Sequence, residues 1–339
     1  MADPLRHHGD VEARGMIDLA VNVYDGPRPP WLDAALRASL DAVGAYPDPT
    51  AATTAVAAHH GRAEDEVLVT AGAAEAFTLV ARLRPWRRPV VVHPQFTEPH
   101  AALEQAGQDV TPVVLREPFT LDPALVPADA DLVVVGNPTN PTGVLHPAAV
   151  LAALRRPGRL VVVDEAFMDC VPGEPESLAG VPLDGLVVLR SLTKHWGIPG
   201  IRAGYVVGDP RVVAGLAQAQ TPWSVGTTAS AAVVACTGAE AAQEARRRAE
   251  QIRDWRENLE KGLADLGIPH LPSAASFVLA RVGDGVHARL RERGIAVRRA
   301  DTFPGLDGSW VRVAVRPPET TDQLLAALAA VHPRRRLAT

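Results

Sequence analysis

Lys194 is one of two lysines in a chain whose other basic side chains are arginines, and it lies in the stretch LRSLTKHWGIPGIRAGY, residues 189–205. Arginine holds surface ion pairs at least as well, but it stays protonated. Only lysine offers an amine that can lose its proton and form a Schiff base with a carbonyl compound. A structural lysine is the alternative reading. Lys261, in RENLEKGLADLG, belongs to a polar helical pattern and is expected to be solvated. Around Lys194, Ser191 stands three residues before and Arg202 eight after, with Gly197, Pro199 and Gly200 between, which predicts more turn than helix. Ser191 to Lys194 also spells S-x-x-K, a serine-nucleophile signature, but its companions S-D-N and K-T-G are missing from the chain.

Three other stretches carry groups suited to the same kind of chemistry. TAGAAEAF, residues 70–77, leaves the backbone N–H groups of Ala73 and Ala74 free for an anion at a helix start, or forms an ordinary strand-to-helix turn. GNPTNPTG, residues 136–143, forces an irregular loop in which either asparagine presents an amide to a ligand or staples the turn. VVVDEAF puts Asp164 at the end of an apolar run, where an ionised carboxylate needs a cationic or hydrogen-bonding partner; a helix N-cap is the competing explanation.

The elements that must position these groups are legible as repeated strand and helix patterns. EVLVTAG (66–72), PVVVHP (89–94), DLVVVGNP (131–138), RLVVVDEAF (159–167) and GLVVLRSL (185–192) do not alternate with polar residues, so they are expected as strands buried on both faces. Alanine-rich helical patterns separate them at 74–83, 99–106 and 147–154. The order argues for an α/β fold with a mainly parallel sheet, in which ligands bind beyond the carboxyl ends of the strands, where all four stretches fall. After about residue 230 the pattern changes to a long helix at 239–266, SFVLARV, a helix near 286–293, IAVRRA, WVRVAV and a final helix, a smaller α+β unit. Residues 1–30, rich in Pro and Gly at their end, are expected as an extended arm outside the large sheet.

Composition narrows the function. The 339 residues carry a net charge of −5, with 47% hydrophobic and 22% charged residues, ordinary for a globular chain with a sizeable core. Mild acidity and only short arginine runs argue against nucleic acid as a partner. Cys170 and Cys236 make no disulfide framework and no metal-ligand spacing, which fits a reducing cytoplasm and no metal. No apolar run is long enough for a membrane span, and the first residues do not read as an export signal.

Taken in order and spacing, Gly72 to Glu75, Asn140 to Gly143, Asp164 to Phe167, Ser191 to Lys194, and Arg202 resemble the fold-type I pyridoxal phosphate (PLP) enzymes of the aspartate aminotransferase superfamily, over nearly the whole chain. The texture is that of the histidinol-phosphate aminotransferase branch. VDEAFMDCVPGE, TPWSVG and FPGLDGSWVRVAVR look most like the threonine-phosphate decarboxylases of cobalamin biosynthesis. The resemblance implies a large PLP-binding domain with a seven-stranded sheet (31–230), a small C-terminal domain (231–339) and an N-terminal arm (1–30) packing with the small domain. It implies that Lys194 carries PLP, that Asp164 pairs with the pyridinium nitrogen and that Asn140 donates to the ring oxygen. Ala73, Ala74, Ser191 and Arg202 would hold the cofactor phosphate and Phe96 would stack on the ring. Tyr46 would reach the neighbouring active site of a homodimer. His8, Gly9, Asn22, Asn140, Arg298 and Arg312 would bind a phosphoamino acid substrate, with Arg299 and Arg316 near enough to confuse the arginine assignment. Two departures stand out. NVYD at 22–25 replaces the usual N-x-N-P turn, and Phe167 stands where the aminotransferases commonly have a tyrosine, as it does in the decarboxylases. The expected reaction is decarboxylation of L-threonine O-3-phosphate to (R)-1-aminopropan-2-ol O-2-phosphate. The alternative is an aminotransferase acting on histidinol phosphate or a related phosphoamino acid.

Overall fold

A computed structural model describes residues 4–7 and 9–331. Among these residues eleven strands form two sheets: β1 (Ile17–Leu19), β2 (Val67–Thr70), β3 (Pro89–His93), β4 (Thr111–Val114), β5 (Leu132–Gly136), β6 (Leu160–Asp164), β7 (Leu186–Ser191), β8 (Gly204–Gly208), β9 (Phe277–Arg281), β10 (Ile295–Arg299) and β11 (Trp310–Ala314). The larger sheet has the order β2-β8-β7-β6-β5-β3-β4. Only β8 runs against its neighbours; the contacts from β7 through β6, β5 and β3 to β4 are all parallel.

The apolar runs do what continuous Val and Leu sequences predict. Val161, Val163 and Val188 enter the core on one face of the sheet, and Val162, Val187 and Leu189 enter the core on the other. At roughly 1.5–3 kcal/mol for each large apolar side chain removed from water, this two-sided burial fixes the strand ends. Gly204 is required where β8 crosses, since a Cβ there would lie 2.8 Å from the Arg190 carbonyl oxygen and 2.9 Å from the Gly72 backbone.

The smaller sheet has the order β1-β10-β11-β9, with β1 parallel to β10 and the other pairs antiparallel. Ile252, Leu259 and Leu263 of the 27-residue helix Ala239–Asp265, and Leu324 and Leu328 of the helix Pro318–Val331, pack with Val278, Val297 and Val311 of this sheet. The arm is therefore more ordered than its composition suggests: it stays out of the large sheet, but Ile17–Leu19 is an edge strand of the small one. The Lys194 stretch also differs from expectation. Leu192–His195 forms one helical turn, anchored by the buried Trp196, before the 3-10 turn Pro199–Ile201. Among the described residues no helix is long and apolar enough to cross a membrane, and no group of His, Cys, Asp and Glu could hold a metal ion.

Candidate active site

The strand ends and the small sheet bring the candidate residues to one place. Gly72, at φ +78°, turns the chain from β2 into the helix Ala73–Arg82. Its missing side chain matters, because a Cβ would come within 2.9 Å of Arg202 Nη2. The first N–H groups of that helix have no intrahelical acceptor. Glu75, the acid of the first turn, is engaged elsewhere, its Oε2 accepting from Ala71 N (2.6 Å) and Gln220 Nε2 (3.1 Å). Ala73 is buried and Ala74 exposed at this helix start. Arg202 itself has left-handed backbone (φ +61°), and its Nη1 donates to Pro199 O at 2.9 Å. Ser191, buried at the end of β7, exchanges a hydrogen bond of 2.8 Å with Thr193. A helix start, a hydroxyl and a guanidinium so arranged suit a phosphate.

Lys194 is partly buried, and its ammonium is lowered to about 8, first by burial and then by Arg312 and Arg202, against the opposing pull of Asp164 and Asp10. Asp164, ending β6, is raised to about 6 by burial, opposed by the Ala166 N–H that donates to Oδ1 (3.1 Å) and by Lys194. It caps no α-helix: the next element, the 3-10 turn Met168–Cys170, starts from Phe167. The two asparagines of the β5 loop part company. Asn137 is the staple, accepting from His146 N (2.7 Å) and donating to His146 O (3.1 Å). Asn140 faces the site, where its Oδ1 accepts from Arg312 Nη1 at 2.6 Å.

Arg298 and Arg312 are direct cross-strand partners on β10 and β11 and are both buried. Like charges placed opposite each other are unfavourable, and among the described residues neither guanidinium has a carboxylate within 4.0 Å. Burial holds Arg298 down at about 10, opposed by Glu12 and Asp301. Burial, followed by the Arg298 charge, takes Arg312 well below the usual arginine range. Their hydrogen bonds are to neutral groups. Arg298 donates to His7 O (2.8 Å), Thr302 Oγ1 (2.7 Å) and Arg299 O (2.7 Å). Arg312 donates to Asn140 and to Ala20 O (2.5 Å), and Asn22, with its amide oxygen turned inward, accepts from Nε (3.1 Å) and Nη1 (3.0 Å). Two buried guanidiniums with carboxylates only beyond ion-pair distance suit an anion.

The arm closes one wall. A Cβ on Gly9 would lie 3.0 Å from Arg298 Cδ, and Tyr24 N donates to Lys194 O at 2.9 Å. His8 lies outside the described residues. Phe96, after β3, is tilted against Phe77 with ring centres 6.1 Å apart. Phe167 meets Phe277 edge to face at 4.9 Å, and the Arg312 guanidinium lies 5.4 Å from the centre of the Phe277 ring. Tyr46 is 76% exposed and stacked on the exposed Trp223.

The structure separates the neighbouring arginines. Arg299 pairs on the surface with Asp301, Nε to Oδ1 at 2.7 Å, and Arg316 is buried among backbone carbonyls. Spacing alone does not predict the role of Arg316; its only sequence signal is a charged residue two positions beyond the mostly apolar β11. A cleft of about 350 Å³ also opens beyond Leu192 and Trp196, lined by Asp169, Glu174 and Arg190 among others. Arg190 is shared there by three carboxylates, those of Glu165 (3.3 Å), Asp169 (3.4 Å) and Glu174.

The family model for aminotransferase class I and II matches residues 14–328. The chain is 49% identical to a histidinol-phosphate aminotransferase of Mycobacterium tuberculosis, covering 92% of this chain and 87% of that one. It is 32% identical to the threonine-phosphate decarboxylase of Salmonella typhimurium, covering 92% and 90%. Among solved structures, the histidinol-phosphate aminotransferase of Clostridium acetobutylicum superposes with a TM-score of 0.86 at 24% identity, covering 93% and 98%. The chain thus belongs to the class I and II aminotransferases, enzymes of the fold-type I group whose cofactor is pyridoxal 5'-phosphate.

Proposed function

We propose that the protein is a PLP-dependent aminotransferase for a phosphorylated amine of the histidinol-phosphate kind. The observation that carries this reading is the Arg298 and Arg312 pair, two buried guanidiniums without a carboxylate partner. A phosphate, or the carboxylates of an amino-group acceptor, would supply the missing charge. The relative at 49% identity, named for histidinol phosphate, supports the same choice.

The residues fit the cofactor. The Gly72 turn has no room for a side chain beside Arg202, and among the described residues the half-buried Asp164 has no cation within 4.0 Å. Bound PLP supplies an aldehyde that takes up the substrate amine and a protonated ring that accepts the electron pair released at Cα. Ala73, Ala74, Ser191 and Arg202 would hold its phosphate, and Phe96 would pack on the ring. Asp164, as a carboxylate, would pair with the ring nitrogen and favour its protonated form. Asn140 would donate to the ring oxygen through its Nδ2, while its Oδ1 fixes Arg312. Lys194 would carry the cofactor, and its amine, brought down to about 8, is suited to moving the proton at the substrate Cα. Arg298, Arg312, Asn22 and the arm around His8 and Gly9 hold the substrate anions.

The domain reading follows, with 31–230 holding the cofactor and 231–339 the small domain. Tyr46 is proposed to complete the site of a second subunit. Its 76% exposure, and the exposed Trp223, Leu40 and Val43, leave apolar surface for a homodimer contact.

A second reading, decarboxylation of threonine phosphate, rests on Phe167. A phenylalanine gives the ring oxygen no phenol to bond, and threonine phosphate carries two anionic groups for two arginines. The orientation that Arg298 and Arg312 impose on the substrate would decide between the two reactions. Incubation with histidinol phosphate and 2-oxoglutarate is expected to give glutamate. Release of CO2 from threonine phosphate, without glutamate from either compound, transfers the assignment to the decarboxylase.

A further inference from the structure

The NVYD departure raises a physical question: what shapes the arm over the substrate arginine without the turn-forming proline? Arg316 is 5% exposed. Its Nε donates to Asp18 O (2.9 Å), Nη1 to Val23 O (3.1 Å) and Val315 O (3.1 Å), and Nη2 to Val21 O (2.7 Å). Its nearest carboxylate, Asp25, is 3.7 Å away and half exposed. A guanidinium buried mainly among carbonyls is a costly arrangement unless it organises the segment it touches.

That segment has two sides. The carbonyls of Asp18, Val21 and Val23 face Arg316, whereas Ala20 O and the Asn22 amide face Arg312. Asp18 closes the bend, its Oδ1 accepting from Ala20 N (2.8 Å) and Val21 N (3.0 Å). The end of the arc is tied to the lysine segment by the bond from Tyr24 N to Lys194 O. The arc is therefore held between two arginines four residues apart, one turned toward the substrate side and one away from it.

We propose that Arg316 is a positioning residue: it shapes the 18–24 arc so that Ala20 and Asn22 set the guanidinium of Arg312 for an anionic substrate. The substrate part of this inference rests on the proposed function; the arc part does not. Removing Arg316 takes a donor from each of three arm carbonyls, Val21 O keeping the bond from Val23 N (3.0 Å), and the arc loosens on the side away from Arg312.

The test uses Arg316→Met, Arg316→Lys, Asn22→Ala and the double variant in the full chain. Hydrogen exchange is expected to be about tenfold or more faster at Val21 and Tyr24 in Arg316→Met, with the β10 amides unchanged. For the substrate turned over by the wild type, KM is expected to rise about tenfold while kcat stays within about threefold. Adding Asn22→Ala to Arg316→Met is expected to cost much less than the sum of the two, because both act through Arg312. Arg316→Lys keeps the charge but spans fewer carbonyls, so it falls between; it carries the test if the methionine variant does not fold. Wild-type exchange at Val21 and Tyr24, additive effects, or a loss of stability with unchanged KM would each overturn the inference. A wild type inactive on every phosphorylated amine would refute the substrate reading, and the exchange result would still decide the arc.

Discussion

Replacing Lys194 by methionine in the cofactor-free protein is expected to stabilise it at neutral pH, by an amount that disappears on the alkaline side. Burial, with Arg312 and Arg202 adding to it, lowers the ammonium from 10.5 to about 8. At about 1.4 kcal/mol per pKa unit, that displacement corresponds to about 3 kcal/mol, an upper bound because the amine is partly open to the site. The sign follows from proton counting. Below pH 8 the lysine is protonated folded and unfolded, so the folded state bears the full cost of the buried cation. Between 8 and 10.5 the unfolded chain binds more protons than the folded one, so wild-type stability rises with pH relative to the variant. Urea denaturation of both proteins across this range, compared as a difference, cancels the shared groups whose ionisation does not depend on Lys194. The variant should lead by up to about 3 kcal/mol at pH 7 and lose nearly all of that lead by pH 10.5. A difference that does not change with pH, or a variant less stable at pH 7, would refute the reasoning.

Three more outcomes follow from the same geometry. Arg312→Lys keeps the charge and gives up the planar grip on Asn140, Ala20 and the substrate anion, so kcat/KM should fall about a hundredfold in steady-state assays, equivalent to about 3 kcal/mol. Asp164→Asn keeps the shape and removes the charge at the ring; bound cofactor should persist by absorbance while kcat falls on the order of a hundredfold. Arg190→Met leaves Glu165, Asp169 and Glu174 without their shared cation and should destabilise the protein by about 3–5 kcal/mol at pH 7. Burial raises Glu165 to about 7 and also pushes Asp169 up, so these carboxyls lose their charge readily in acid and the deficit should shrink at pH 5.

Much of this architecture was legible because continuous apolar runs can be satisfied only by two-sided burial; β2, β3, β5, β6 and β7 all follow that rule. Two strands of the same sheet were harder to see. β4 is an edge strand with Pro112 and an exposed Val114, and β8 is hidden inside the glycine and arginine motif after Lys194. The arm strand β1 has three residues and gains its order from β10, a partner almost three hundred residues away. At the site, strand ends pointed to Lys194, Asp164 and the helix start at Ala73 from local pattern alone. Tertiary pairing was needed for the rest. Nothing in GNPTNPTG says that His146 engages Asn137 and leaves Asn140 to Arg312. Arg298 and Arg299 are adjacent in sequence, and only their opposite directions across the sheet separate the buried one from the surface ion pair. The role of Arg316 depends on carbonyls of the arm, which no spacing rule around the end of β11 could reveal.

The chain's two lysines make the central claim open to a single measurement. Borohydride reduction of the holoenzyme fixes the cofactor to the amine that carries it, and peptide mass spectrometry then locates the adduct. The account predicts a phosphopyridoxyl group on the peptide containing Lys194 and none on Lys261, which lies exposed in a pair with Asp265 at 2.6 Å. An adduct on Lys261 or the terminal amine, or no adduct at all on cofactor-loaded protein, would contradict it.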